Sequence, residues 1–362
     1  MDHPEKAGSA SHRIRVLVVD DSVVIRRLVT HGLSEDPQIE VVGSAADGLI
    51  ALKMIPLVKP DVITLDIEMP LMDGLETLRR VKASHPDIHV IMFSTLSERG
   101  AAITLEALSL GANDYVTKPV GAGSFELSLD RLRAELIPKV KQFFHAEHRS
   151  ADWATLPAAR APAPTGRSST VREVVAIGVS TGGPTALAKL VPAIPESFTL
   201  PILIVQHMPP IFTRLLADRL QSLTKLTVRE AADGMLVEER CIYIAAGDYH
   251  LRVVKQGMKR RLTLDQAEQE NYCRPAVDVL FRSVAEAYGG ATIAVMLTGM
   301  GQDGKLGTER LRNEGAWVIA QDETSSVVWG MPGAVVRSGL ADTVLDLDAI
   351  APEIARRAER GR

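Results

Sequence analysis

Ile14-Arg-Val-Leu-Val-Val-Asp-Asp-Ser22 is a short apolar run that stops at two aspartates and opens onto an amphipathic stretch. The pattern repeats, with further apolar runs at 39–45, 62–65, 90–93 and 115–116. Helical spacing fills the intervals at 23–33, 49–59, 75–84 and 101–110, and a last amphipathic helix is predicted over 125–144. Five strands alternating with five helices imply a five-stranded parallel sheet, a (βα)5 unit covered on both faces. Pro56 lies inside the second helical stretch, which predicts a kink or an early end there.

A second series begins at Val174. Strands are predicted at 174–178, 201–206, 241–245, 292–297 and 317–321, and helices at 184–191, 212–222, 276–287, 305–314 and 333–338. The runs 251–254 and 261–264 flank Gln256-Gly257 and read as a β-hairpin. The C-terminal half is therefore expected to be a doubly wound, mostly parallel α/β domain with a hairpin. Between the two series, Ala158-Ala-Arg-Ala-Pro-Ala-Pro-Thr-Gly-Arg-Ser-Ser-Thr170 has no apolar periodicity and reads as linker. The expected division is 13–145, a linker at 146–170, and 171–362. Trp153 fits either an exposed linker tryptophan or one docked on a domain.

The chain has 362 residues, 46% of them apolar, which is ample core for two domains. A net charge of −4 gives no electrostatic footprint for duplex DNA, so no nucleic-acid partner is expected. The two cysteines, Cys241 and Cys273, lack metal-ligand spacing and read as free thiols in a reducing compartment. The polar first dozen residues are no secretory signal, and no apolar run reaches the ~20 residues that span a bilayer. A cytoplasmic protein without membrane insertion is expected.

Ligands of a parallel sheet bind beyond the carboxyl ends of its strands. Asp20 and Asp21 follow the first strand, Asp66 the third, Ser94 the fourth, and Lys118 the fifth. Each aspartate alone is as readily a helix cap. Gathered at one edge, the carboxylates demand a cation. Hard oxygen donors suit Mg²⁺, beside which an aspartate can accept a phosphoryl group. Pro119 would constrain the loop that aims Lys118.

In the C-terminal half, Ile177-Gly-Val-Ser-Thr-Gly-Gly-Pro184 is a strand, a serine, two glycines and a helix start. Such a turn serves as a phosphate loop or as the seat of a nucleophile. It has G-x-S-x-G spacing but lacks the usual order of a later Asp and then His. His207 ends the next strand in Gln206-His-Met-Pro, where a structural histidine is also common. Asp303, in Leu297-Thr-Gly-Met-Gly-Gln-Asp-Gly304, would either cap a helix or complete a Ser-His-Asp set at the same edge.

Asp20-Asp21-Ser22, Leu65-Asp-Ile-Glu-Met-Pro-Leu-Met-Asp-Gly74 and Lys118-Pro119 together resemble the receiver domain of two-component response regulators over residues 13–135. The resemblance implies that Asp66 is the phosphoacceptor, that Asp20, Asp21 and Asp66 hold Mg²⁺, and that Ser94 and Lys118 contact the phosphoryl group. Tyr115 matches the family's switch aromatic, though a half-buried core tyrosine fits equally. The three C-terminal motifs resemble the chemotaxis protein-glutamate methylesterases. That likeness implies Ser180, His207 and Asp303 as catalytic residues, with Thr181 and Met300 lining the site in support of the oxyanion.

It also implies hydrolysis of γ-glutamyl methyl esters and glutamines on methyl-accepting chemotaxis receptors, with no esterase cofactor. The implied phosphodonor is a histidine kinase of the CheA type. An unphosphorylated receiver is expected to cover the edge carrying Ser180. Two alternatives are the same chemistry in a non-chemotactic receptor pathway and a receiver-linked, nonenzymatic ligand-binding module. Three further residues invite a role. His250 fits a groove lining or a structural part, Arg274 a contact to an acidic partner or a solvated loop, and the Arg356–Arg362 run a solvated helix end.

Overall fold

The computed structural model describes residues 13–118, 125–144 and 171–359. Pro119, Trp153 and the predicted linker lie outside the described residues. The described chain forms two compact units, each built on its own parallel sheet. From Arg13 to Phe144 the elements are β1 (Ile14–Val19), α1 (Val23–Ser34), β2 (Ile39–Ala45), α2 (Gly48–Val58), β3 (Val62–Asp66), α3 (Gly74–Ser84), β4 (His89–Ser94), α4 (Glu98–Ser109), β5 (Asp114–Thr117) and α5 (Phe125–Lys141). The sheet order is β2-β1-β3-β4-β5, all parallel.

Fully buried strands need apolar residues on both faces, and β1 supplies them. Val16 and Val18 join Leu28, Leu33, Leu132 and Leu136 of α1 and α5 in one core. Leu17 and Val19, equally buried, point to the opposite face by the two-residue period of a strand. The helices start where short polar side chains take up free N–H groups: Ser22 accepts from Ile25, Asp47 from Ile50 and Asp73 from Glu76. At the first of these helices the cap is Ser22, not Asp20 or Asp21. Pro56 sits in the last turn of α2, which ends two residues later with Lys59 in the left-handed region at φ 41°. The helix thus continues past Pro56 and stops one residue short of the predicted end at Lys59.

The C-terminal part from residue 171 onward comprises β6 (Val174–Val179), α6 (Gly183–Ala193), β7 (Ile202–Gln206), α7 (Phe212–Gln221), β8 (Thr227–Glu230), β9 (Cys241–Ile244), β10 (His250–Gln256), β11 (Lys259–Asp265), α8 (Val277–Tyr288), β12 (Thr292–Met296), α9 (Lys305–Asn313), β13 (Trp317–Gln321), α10 (Met331–Arg337), β14 (Thr343–Leu345) and α11 (Leu347–Glu359). Its seven strands run β14-β13-β12-β6-β7-β9-β8 and every pair is parallel. Antiparallel pairing between named strands is confined to the separate β10–β11 hairpin. Val174, Ala176, Leu203 and Val205 of the central strands pack with Leu280, Phe281 and Val284 of α8 and with Leu251, Val253 and Leu262 of the hairpin.

Sequence reading missed β8 and β14. Both are short edge strands, and neither has a fully apolar run: Thr-Val-Arg-Glu buries only Val228, and Thr-Val-Leu buries none of its residues. Of the Arg356–Arg362 run, residues 360–362 lie outside the described residues, and the described arginines are not simply solvated. Arg356 and Arg357 pair with Glu353, and the Arg357 guanidinium lies 3.2 Å from the Trp317 ring centroid. Cys241 and Cys273 are free thiols.

Asp47→Ala removes the oxygen that accepts from Ile50 N at 2.9 Å. It is expected to lower the stability of the N-terminal unit by about 1 kcal/mol, read as the shift of its denaturant midpoint.

Candidate functional site

In the first sheet the chain winds from β1 out to β2 and then back past β1 to β3. The carboxyl ends of β1 and β3 therefore flank a crevice. Asp20 and Asp66 are buried there and Asp21 is exposed; one oxygen from each lies within 4.8 Å of the others. Asp20 Oδ1 accepts from Ser22 N, and Asp66 Oδ1 from Ile67 N. Lys118 Nζ, brought in at the end of β5, lies 2.9 Å from Asp20 Oδ2 and 2.7 Å from Asp66 Oδ2.

One ammonium against three carboxylates leaves the cluster under-neutralised. Burial, followed by the neighbouring Asp20 charge, outweighs Lys118 and pushes the Asp66 carboxyl up to about 6. An all-oxygen set with surplus negative charge fits a hard divalent cation. Ser94 is buried at the end of β4, and its carbonyl accepts from Lys118 N. Tyr115 is also buried, with Lys139 Nζ 5.0 Å from its ring centroid.

In the second sheet β6 is central. The chain leaves it toward β7 and later returns to β12 on its other side. Ser180, His207 and Asp303 follow the carboxyl ends of β6, β7 and β12. His207 Nε2 and Asp303 Oδ2 are 2.8 Å apart. Burial alone would depress the imidazole. The bonds to Asp303 and to the adjacent Cys273 thiol outweigh it and raise the His207 pKa above the ordinary 6.5. Ser180 lies at the same edge, but its hydroxyl makes no hydrogen bond to His207. A contact of this kind often closes only with substrate bound.

The serine turn is held on all sides. Ser180 N donates to Thr298 O at 3.0 Å, Gly183 N to Ser180 O at 2.8 Å, and Gln206 Nε2 to Ser180 O at 2.9 Å. The backbone N–H groups of Ser180 and Gly183 are thus already engaged. Gly182, at φ 76°, provides the left-handed residue from which α6 starts, and Pro184 occupies its first turn. Gly299 packs directly against Ser180, since a Cβ there would lie 2.7 Å from Ser180 Cβ. Thr181 is buried and its carbonyl accepts from Thr298 Oγ1, whereas Met300 is exposed in the loop after β12.

Several members of this site were not singled out in the sequence. Asn271 Nδ2 donates to Asp303 Oδ1 at 2.9 Å and to Asp278 Oδ2 at 3.0 Å. Asp278 was legible in principle, as a lone carboxylate inside the apolar run Val277-Asp-Val-Leu-Phe281. The tempting residues prove structural. His250 is buried, with Nε2 at 2.9 Å from Glu268 O and Nδ1 accepting from Ala276 N. Arg274 is not a solvated loop arginine: it bonds Asp248 Oδ1 and the carbonyls of Gln266 and Ala267.

Residues 175–354 match the family model of the CheB methylesterase, and residues 16–129 match that of the response regulator receiver domain. A protein-glutamate methylesterase/protein-glutamine glutaminase of Trichodesmium erythraeum is 50% identical over 348 residues, covering 95% of this chain and 99% of that one. A protein of the same name from Nocardioides sp. is 48% identical over 96% of both chains. The crystal structure of the Thermotoga maritima CheB methylesterase catalytic domain is similar with a TM-score of 0.51 at 45% identity. It covers 52% of this chain and 99% of that domain. Among the described residues no helix is long and apolar enough to cross a membrane.

Two outcomes are expected. Asp66 titrates near 6 in the fold against an ordinary 3.8, so it holds its proton more tightly folded than unfolded. Its contribution favours the fold below pH ~4 and is lost as pH rises toward 6, a swing of about 3 kcal/mol. In chelator-treated protein, Asp66→Asn should therefore raise the first unit's melting midpoint at pH 7.5 and leave it unchanged at pH 4. Gly299→Ala should slow the labelling of Ser180 by a serine-directed fluorophosphonate by at least about ten-fold, because the added methyl displaces the hydroxyl.

Proposed function

We propose, starting from a chain that belongs to the protein-glutamate methylesterase/protein-glutamine glutaminase family, that Ser180, His207 and Asp303 carry its hydrolysis and that phosphorylation of Asp66 controls it. The carrying observation is the 2.8 Å His207–Asp303 pair at the strand edge that Ser180 shares. Ser180 Oγ attacks the γ-carbonyl of a glutamyl methyl ester and passes its proton to His207. Asp303 keeps the ring oriented and offsets the imidazolium charge. The oxyanion forms at the start of α6, with Thr181 and the Met300 loop lining it. His207 then protonates departing methanol, and water releases the glutamate. From glutamine the same acyl-enzyme forms with ammonia leaving. Imidazole activation of the serine needs no cofactor.

In the receiver, Asp20, Asp21 and Asp66 are the residues suited to hold Mg²⁺, whose contribution when bound is to neutralise carboxylate and phosphoryl oxygens. Asp66 accepts the phosphoryl group from a histidine kinase of the CheA type. Ser94 and Lys118 hold its oxygens, and Tyr115 responds as the switch aromatic. The substrates are methyl-accepting chemotaxis receptors, reached from the cytoplasm. Residues 13–145 form the receiver and 171–362 the esterase, joined by a linker at 146–170. The receiver restrains the esterase until phosphorylated.

Methanol release from methyl-labelled receptor membranes tests the whole reading. It is expected to rise with Mg²⁺ and a small-molecule phosphodonor and to fall at least about a thousand-fold in Ser180→Ala. Asp66→Asn should keep the basal rate and lose the rise. Deleting residues 1–146 should lift the basal rate. Release that ignores the phosphodonor would remove the control, and release unchanged in Ser180→Ala would remove the triad.

A further inference from the structure

We propose that Asn271 is a positioning residue of the esterase, its carboxamide bridging two buried carboxylates so that Asp303 is held ionised and aligned on His207. The inference rests on the triad reading above and adds a member to that site.

Asp303 and Asp278 are 2% and 1% exposed, and both carboxylates meet the same side chain. Asn271 reaches them from an exposed turn, giving one bond to Asp303 Oδ1 at 2.9 Å and one to Asp278 Oδ2 at 3.0 Å. The remaining donors divide unequally. Asp303 also accepts from Val277 N, Asp278 N, Gly304 N and His207. The other donor to the Asp278 side chain is Gly307 N, at 2.6 Å. Two carboxylates in one dry site cannot share charge equally, and the one with more donors keeps it. Burial, with Asp303 adding to it, raises the Asp278 pKa, whereas Asp303 is lowered despite its own burial. A carboxamide has two N–H groups and no charge, so it satisfies both oxygens without taking part in the contest.

The turn is built to hold that amide still. Asn271 adopts φ 54°, a conformation asparagine tolerates better than most residues. Glu270 and Cys273 exchange backbone hydrogen bonds across it, and Glu270 is gripped by both terminal nitrogens of Arg282 at 2.6 and 2.5 Å. The bridging group is thus anchored independently of the carboxylates it serves.

Asn271→Gly is the discriminating variant, since glycine keeps the left-handed backbone and removes only the donors. The probe is a serine-directed fluorophosphonate on the full chain. A bond forms between Ser180 Oγ and phosphorus, the P–F bond breaks, the proton passes to His207 and fluoride leaves. The expected result is labelling about ten-fold slower at an unchanged melting midpoint. Adding Asp278→Asn should restore several-fold of the loss, because the neighbour can then no longer compete with Asp303 for the charge. Wild-type labelling rates in Asn271→Gly would overturn the inference. So would a midpoint that falls with the rate, or a double variant no faster than the single, either of which marks a merely structural turn. Wild-type protein that is not labelled at Ser180 at all would instead remove the triad reading, and this inference with it.

Discussion

A buried carboxylate must be paid in hydrogen bonds, and Asp303 sets the terms for the catalytic unit. Leaving such a charge unpartnered costs several kcal/mol. Its donors come from the start of α8, the turn into α9, the 270–273 turn and the end of β7. Each of these segments must arrive at one point for the carboxylate to be tolerated. The packing of α8 against the sheet and the hairpin brings the α8 N-terminus to that point. Orientation of His207 is a by-product of the same satisfaction.

The two sheets use one topological device with opposite electrostatics. In each, a reversal of winding beside a central strand opens a crevice at the carboxyl ends. The receiver edge gathers three carboxylates around one lysine and is short of positive charge. That shortage fits a hard divalent cation. The esterase edge gathers one ionised carboxylate and oversupplies it with N–H groups. So supplied, that carboxylate stays ionised while it bonds the imidazole of His207.

Much of this was legible because strands β1, β3, β6, β7 and β12 are apolar runs that end on the residues concerned. The alternation of run and helix fixes which edge those ends share, and so the grouping of Asp20, Asp66 and Lys118, or of His207 and Asp303, follows from order alone. Turns without periodicity stayed dark. Asn271 lies in the eleven-residue connection between β11 and α8, where Arg282 grips the turn through Glu270 and Asp303 accepts from the amide, and no local pattern encodes these contacts. The edge strands β8 and β14 were missed for the converse reason, since half-exposed strands need no apolar run. Arg274 and Arg357 read as solvated because an arginine's partners, a carbonyl or a tryptophan face, leave no mark beside it in the sequence.

The order of the second sheet also sets the order in which the parts of the site are made. Its central strand β6 emerges early, yet its neighbour β12 follows more than a hundred residues later, after the hairpin and α8. Until then β6 is an open edge, with Ser180 and His207 present and the carboxylate absent. A chain that stops short of β12 therefore leaves β6 without one of its two parallel neighbours and His207 without the carboxylate it bonds.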